Sequence, residues 1–279
     1  VESITSRQNA LVRTFRSVAA RRGRRLLLEG PHLVADAVAA GVNLEVAAFS
    51  ARLLERRAGE RAVELRRLAE HLERSRARVV SVSDPVMAAM SPAESPSGVV
   101  AIAAHEPPAL EAALNGAPSG HAPLVLCIAD VQDPGNLGAI IRTAEAAGAS
   151  GVVACGVSAD PYGWKALRGA MGSAIRLPVA GRPPTRDAVV AARARGLRIV
   201  ATSPRDGRSL YDTDLRRPTA LLVGGEGSGL GADITALADE SISIPMHGSV
   251  ESLNVAVSAA LVLYEAFRQR QRQGLGTKG

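Results

Sequence analysis

Aromatic side chains are scarce: Phe, Tyr and Trp together make up 3% of the 279 residues, while hydrophobic residues as a class reach 47%. Any core must therefore be assembled from Ala, Val, Leu and Ile. Only two cysteines occur, Cys127 and Cys155, too few for a disulfide framework and wrongly spaced for a metal site, so no metal is expected. Cys127 sits inside the apolar run Leu124–Ala129 and reads as a small buried hydrophobe. No stretch of about 18 uncharged apolar residues is present, which argues against a membrane-spanning helix. The first 25 residues are basic and lack the apolar segment of a secretory signal, so a cytoplasmic protein is expected. Lysine is nearly missing (Lys165 and Lys278), so the formal net charge of +6 is carried almost wholly by guanidinium groups. Between Glu2 and Glu29 no acidic residue occurs, whereas Arg7, Arg13, Arg16, Arg21, Arg22, Arg24 and Arg25 all fall there. Arginine's planar fork suits bidentate phosphate contacts. One reading of this cluster is a nucleic-acid contact, and the other a solvated surface of an arginine-biased genome; for the cluster as a whole the first is preferred.

The length exceeds that of a usual single domain, and the pattern changes along the chain. Residues 1–106 read as an amino-terminal α/β unit, 107–122 as a Pro/Gly/Ala-rich linker with one helical turn, and 123–273 as a second α/β unit. In the first, strands are expected at Arg25–Leu28, Leu44–Phe49, Val79–Val82 and Val99–Ala103, with helices over Pro31–Ala40 (stopped by Gly41), Ala62–Ser75 and Pro85–Met90, the last capped by Asp84. In the second, apolar strands alternate with helices. Strands are expected at Leu124–Ala129, Gly151–Cys155, Arg176–Pro178, Arg198–Ala201, Ala220–Val223 and Ile242–Ile244, and helices over 137–147, 163–171, 185–195 and 253–270. That alternation predicts a mostly parallel sheet covered on both faces. The final helix is apolar on two sides, with Val255, Ala259, Val262 and Ala266 on one and Leu253, Val257, Leu261 and Tyr264 on the other. Both flanks must be covered, by a second subunit or by a loop.

Three loops of the second unit each follow a strand, where ligands bind in open α/β sheets. The first runs from Asp130 through Pro134, Gly135 and Asn136 to Arg142. Asn136 reads as a helix cap, and Arg142 as either a snorkelling side chain or an anion holder. The second, 221–231, contains Gly224, Gly225, Gly227 and Gly229 around Glu226. Gly227, Gly229 and Ala232 formally match a dinucleotide fingerprint. That assignment is rejected, because Glu226 would aim a carboxylate at a pyrophosphate; a cationic or hydroxyl-bearing ligand fits better. The third, 242–258, places Ser252 and Asn254 at the mouth of the final helix, with Ser252 a simple N-cap candidate. His247 in that loop has no visible partner in the sequence and reads as incidental.

Together these three segments resemble the three motifs of the SpoU (TrmH) family of SPOUT-class RNA 2′-O-ribose methyltransferases, over roughly residues 120–272. The resemblance implies a parallel-sheet α/β domain with a deep carboxy-terminal trefoil knot, working as a homodimer. It also implies that the basic first unit is a ribosomal-protein-like RNA-binding domain, the seven arginines above being its RNA contacts. Asn136, Arg142, Glu226, Ser252 and Asn254 would form the catalytic constellation. S-adenosyl-L-methionine would lie against Thr202, Ser203, Val223, Gly224, Gly225, Gly229, Ile244, Pro245, Met246 and Leu253. Arg142, permanently protonated in an ordinary environment, fits a positioning role better than that of a base. The implied substrate is ribosomal RNA of the large subunit, with resistance to a ribosome-targeting antibiotic as one consequence. Transfer RNA methylation and a non-catalytic RNA-binding adaptor are the other readings, and the complete constellation speaks against the adaptor.

Overall fold

The computed structural model describes residues 2–20, 23–55, 59–75, 77–115, 122–227 and 229–274. The chain divides into two compact units, 1–106 with 162–175, and 107–161 with 176–279.

The first unit contains β1 (Glu2–Ile4), α1 (Ala10–Ala20), β2 (Arg25–Glu29), α2 (Pro31–Ala39), β3 (Leu44–Ser50), α3 (Ala51–Glu55), α4 (Glu60–Arg74), β4 (Arg78–Val82), α5 (Asp84–Met90) and β5 (Val99–Ala104). Its sheet has the order β1-β4-β3-β5-β2, with β5 antiparallel to both neighbours. Two elements lie where only basic charge is conspicuous in the sequence. β1 is three residues long, too short for periodicity to show. α1 buries Val12 and Phe15 in the core and leaves Arg13 and Arg16 exposed. Asp84 is not the cap of α5. Ser83, in extended conformation, holds that place and Asp84 is the first helical residue. Pro85 is tolerated in that turn because its N–H groups have no intrahelical acceptor.

The second unit opens with α6 (Leu110–Asn115), β6 (Leu124–Ala129), α7 (Pro134–Ala146) and β7 (Gly151–Cys155). α6 lies within the expected linker yet belongs to the core, with Ala113 and Leu114 buried. Its backbone passes so close to β7 that a Cβ on Gly151 would stand 2.1 Å from the Ala113 carbonyl oxygen. Next come α8 (Trp164–Ala170) and α9 (Ser173–Arg176); residues 162–175 join the first unit, against whose core Trp164 packs. Then follow β8 (Val179–Gly181), α10 (Thr185–Ala194), β9 (Arg198–Thr202), β10 (Arg208–Ser209), a 3-10 turn at Leu210–Asp212, β11 (Thr219–Gly224), α11 (Ala232–Thr235), β12 (Glu240–Ser243) and α12 (Val255–Gly274). The strand expected at Arg176–Pro178 is displaced: Arg176 ends α9, forked onto Glu145 at 2.8 Å. Pro178, lacking an N–H, contributes only its carbonyl, which accepts from Val152 N–H.

The second sheet is wholly parallel, in the order β10-β12-β9-β11-β6-β7-β8. From β6 the chain first winds outward through β7 and β8, then crosses back to build the other half. The order reverses between β6 and β11, and sheets of this kind bind ligands beyond the carboxyl ends of their strands. Cys127 and Cys155 are free and buried in the core; a hydrogen bond between them, with burial, pushes the Cys155 thiol pKa well up. On α12, Val255, Ala259, Val262, Leu263 and Ala266 are buried, whereas Val257, Leu261 and Tyr264 are 48%, 38% and 50% exposed. No helix among the described residues is long and apolar enough to cross a membrane.

Candidate active site

The segments after β9, β11 and β12 enclose a cavity of about 340 Å³ that reaches the first turns of α12. Its floor is apolar, from the buried residues Val223, Ile242, Val255 and Val262, and its polar wall includes Glu226, Ser252, Asn254 and Ser258. Of the residues expected to hold a cofactor, Thr202, Ser203, Val223, Gly224, Gly225, Gly229, Ile244, Met246 and Leu253 line this cavity. Pro245 does not: it is exposed between Ile244 and Met246, as alternation along an extended segment requires. Pro204, Leu230, Ser258 and Val262 line the cavity without having been anticipated. Ser258 and Val262 follow Asn254 at helical spacing, which is the signal that could have found them.

The glycines act on the protein's own backbone. A Cβ on Gly224 would stand 2.3 Å from the Gly229 carbonyl carbon and 2.4 Å from Leu230 N; one on Gly225 would stand 2.2 Å from the Asp130 carbonyl oxygen. Glycine is required so that the loop can fold back on itself, through the Gly225–Gly229 bridge, and seat against the end of β6. Gly227 and Gly229 take positive φ, +90° and +61°. Asp130, at φ 59°, is left-handed as well, and its carboxylate accepts from Val157 N–H at 2.8 Å.

Asn136 does not cap α7. Asp133 does, accepting from Asn136 N–H at 2.7 Å with Pro134 as the first helical residue. The pair Asp133-Pro134 carried that signal, since a residue before proline is driven extended. The Asn136 side chain is thereby released to donate from Nδ2 to Glu226 Oε1. Its Oδ1 accepts from Asn254 Nδ2 at 3.3 Å. Ser252 is likewise not the cap of α12. Asn254 is, its Oδ1 accepting from Ala256 N–H at 2.9 Å and Val257 N–H at 3.3 Å. Residues 118 positions apart are thus joined in one chain, Glu226–Asn136–Asn254, at the cavity wall. Among the described residues Arg142 has no hydrogen-bond or ion-pair partner; it is exposed on the α7 stripe that includes Ala139 and Thr143. His247 is exposed and does not line the cavity.

In the first unit Arg7, Arg13 and Arg16 are exposed. Arg25 pairs with Glu45 at 2.9 Å, and Arg24 stands 4.0 Å from Glu106 with both of those side chains exposed. Arg21 and Arg22 lie outside the described residues. No cluster of His, Cys, Asp or Glu that could hold a metal occurs among the described residues.

Comparison with known proteins follows the two units. The family model "SpoU rRNA Methylase family" matches residues 123–264, and "MRM3-like substrate binding domain" matches residues 9–101. An uncharacterised tRNA/rRNA methyltransferase of Synechocystis is 36% identical over 277 residues, 97% of this chain and 95% of that protein. A 23S rRNA (uridine(2479)-2′-O)-methyltransferase of Streptomyces viridochromogenes is 44% identical over 142 residues, 49% of this chain and 50% of that enzyme. The crystal structure of an AdoMet-bound rRNA methyltransferase from Sinorhizobium meliloti superposes with a TM-score of 0.81 at 29% identity, covering 96% of this chain and 97% of that one.

Proposed function

Because the chain belongs to the SpoU rRNA methylase family, we propose that it methylates a ribose 2′-hydroxyl of large-subunit ribosomal RNA. It is an S-adenosylmethionine-dependent RNA 2′-O-methyltransferase, with an α/β SPOUT catalytic domain and an amino-terminal substrate-binding domain. The domain limits we assign are 1–106 and 123–273, joined by 107–122, with α6 of that joining segment packed into the second unit and residues 162–175 into the first. The observation that carries the site assignment is the Glu226–Asn136–Asn254 chain standing beside an apolar cavity.

The cavity suits the methyl donor. Its volume lies at the lower end for small-molecule pockets, its buried aliphatic floor fits a flat purine, and the glycine loop presents backbone groups to a ribose. When bound, the donor supplies an activated methyl group. The protein's task is to align a ribose oxygen with that group and to exclude water. Thr202, Ser203, Gly224, Ile244, Met246 and Leu253 hold the donor, Ser252 and Asn254 border the reacting end, and Arg142 holds an RNA phosphate. Arg142→Lys is expected to lose most turnover with RNA affinity unchanged, because the fork is lost while the charge stays.

The 23S preference is supported by the Streptomyces relative, whose name states that substrate, and by an exposed Arg7, Arg13 and Arg16 surface suited to phosphates. Arg13→Glu with Arg16→Glu should weaken RNA binding and flatten its salt dependence. The exposed Val257, Leu261 and Tyr264 on α12, beside Ala139 and Thr143 of α7 and Tyr211, form an apolar groove that we assign to homodimerisation. The Arg142 stripe then faces the partner; Leu261→Asp should yield monomers in sedimentation. The trefoil knot is part of the same proposal, supported by β12 lying inside the sheet and by α12 packing on α7. So are a cytoplasmic location and resistance to a ribosome-targeting drug.

The test is to incubate the protein with labelled S-adenosylmethionine and bacterial 23S, 16S and transfer RNAs and to map the modified ribose. Label in a 23S 2′-O-methylnucleotide is expected. Label only in transfer RNA would overturn the substrate assignment, and label on a base would overturn the 2′-O assignment. Drug susceptibility of an expressing strain tests resistance.

A further inference from the structure

We propose that Glu226 is the group that takes up the ribose hydroxyl proton, an inference that rests on the 2′-O-methyltransferase reading above. Among the described residues lining the cavity Glu226 alone is ionisable. The hydrogen-bond chain fixes which of its atoms is available. Asn254 must turn Oδ1 toward the Ala256 and Val257 N–H groups to cap α12, so its Nδ2 faces Asn136. Asn136 must then present Oδ1 to Asn254 and Nδ2 to Glu226. Glu226 Oε1 is therefore an acceptor from an amide N–H, a place that suits a carboxylate. Oε2 is left for a hydroxyl donor.

The neighbouring ionisable groups are otherwise committed or misplaced. Asp130 accepts from Val157 N–H, and Asp133 caps α7. His247 and Glu251 are exposed on the loop before α12 and do not line the cavity. Arg142 does not line the cavity. In the step assigned here, the ribose oxygen bonds to the methyl carbon, and the carbon–sulfur bond breaks with its electron pair passing to sulfur. The hydroxyl proton passes to Glu226 Oε2 and afterwards to water. As the new bond forms, the ribose oxygen becomes strongly acidic, so even a weak base such as a carboxylate suffices.

Glu226→Gln separates proton transfer from architecture, because the glutamine carbonyl can still accept from Asn136. Full-length wild type, Glu226→Gln and Glu226→Ala are compared in single-turnover methylation of the mapped RNA. S-adenosylhomocysteine affinity by calorimetry and RNA affinity by filter binding are measured alongside. Glu226→Gln is expected to keep both affinities within about threefold while its single-turnover rate falls about 10²- to 10⁴-fold. Formate is expected to restore turnover to Glu226→Ala in proportion to its concentration. A Glu226→Gln rate within about threefold of wild type, a parallel loss of cofactor affinity, or a formate-insensitive Glu226→Ala would each overturn the assignment. A wild-type protein that transfers no methyl group to any ribose would fail the enzymatic reading itself, before any variant is compared.

Discussion

The two units both set several strand ends side by side, but they finish them differently. In the first unit those ends are closed by the chain's own side chains. Glu29, 6% exposed, accepts from Ser97 N–H at 2.8 Å and from Ser97 Oγ at 2.6 Å. Ser50 Oγ donates to Asp84 at 3.3 Å, and Arg52 pairs with the same carboxylate at 2.9 Å. In the second unit the end of β11 carries Gly224 and Gly225, against which the backbone of Gly229, Leu230 and Asp130 packs in place of side chains. The Asn136 side chain is free to bond Glu226 because Asp133 performs the capping of α7. Similar layouts thus give a closed edge in one place and a binding site in another, and the choice lies in a few residues at strand ends.

That contrast can be broken experimentally, and the largest effect belongs to the open edge. Gly224→Ala should lower S-adenosylhomocysteine affinity at least about a hundredfold by calorimetry, equivalent to about 2.7 kcal/mol, because the new Cβ would meet the backbone of Gly229 and Leu230. Arg270 comes next. Its guanidinium ties α12 to the carbonyls of Leu215 at 2.9 Å, Arg217 at 2.8 Å, Pro123 at 3.3 Å and Ala122. Burial pushes its pKa down to about 10. Arg270→Met should cost about 2–4 kcal/mol in urea unfolding by orphaning those carbonyls. At the closed edge, Glu29→Ala should cost about 2 kcal/mol yet leave cofactor affinity unchanged, since Glu29 completes an internal bond and no ligand site. The smallest effect is at Asp214, whose carboxyl is held down to about 2 by the Arg216 side chain, and then by its backbone N–H. A depressed acid stabilises the folded state above its ordinary range, near pH 4, and loses that contribution as pH falls toward 2. Asp214→Asn should flatten that acid limb by about half a kcal/mol, because the pair is largely solvent-screened.

Much of this was legible from residue order, through different signals. The second sheet showed itself in Leu124–Ala129 and Gly151–Cys155, because strands buried on both faces are continuously apolar. α1 does not show in the pattern because Arg13 and Arg16 directly follow Val12 and Phe15 and break up the apolar spacing. The caps of α7 and α12 were misplaced onto Asn136 and Ser252. Several polar residues near a helix start are locally equivalent; Pro134 is the local mark of Asp133, whereas Asn254 is told from Ser252 only by its bonds to Ala256 and Val257 N–H. Arg142 is the converse case: its residue type stands out in the motif, while its surroundings within one chain do not engage it.

From residue order alone, the alternation of strands and helices, the scarcity of aromatics and the three glycine- and asparagine-bearing loops already specify a two-unit α/β protein with ligand loops at strand ends. These are local properties, set by periodicity and by backbone freedom. Which side chain points into the site was decided only by folding. The contact between Asn136, Glu226 and Asn254 depends on the sheet order that brings β6 and β11 together and on the caps that turn each amide. Hydrogen-bond direction is settled by neighbours in space, and those neighbours lie 90 and 118 residues away.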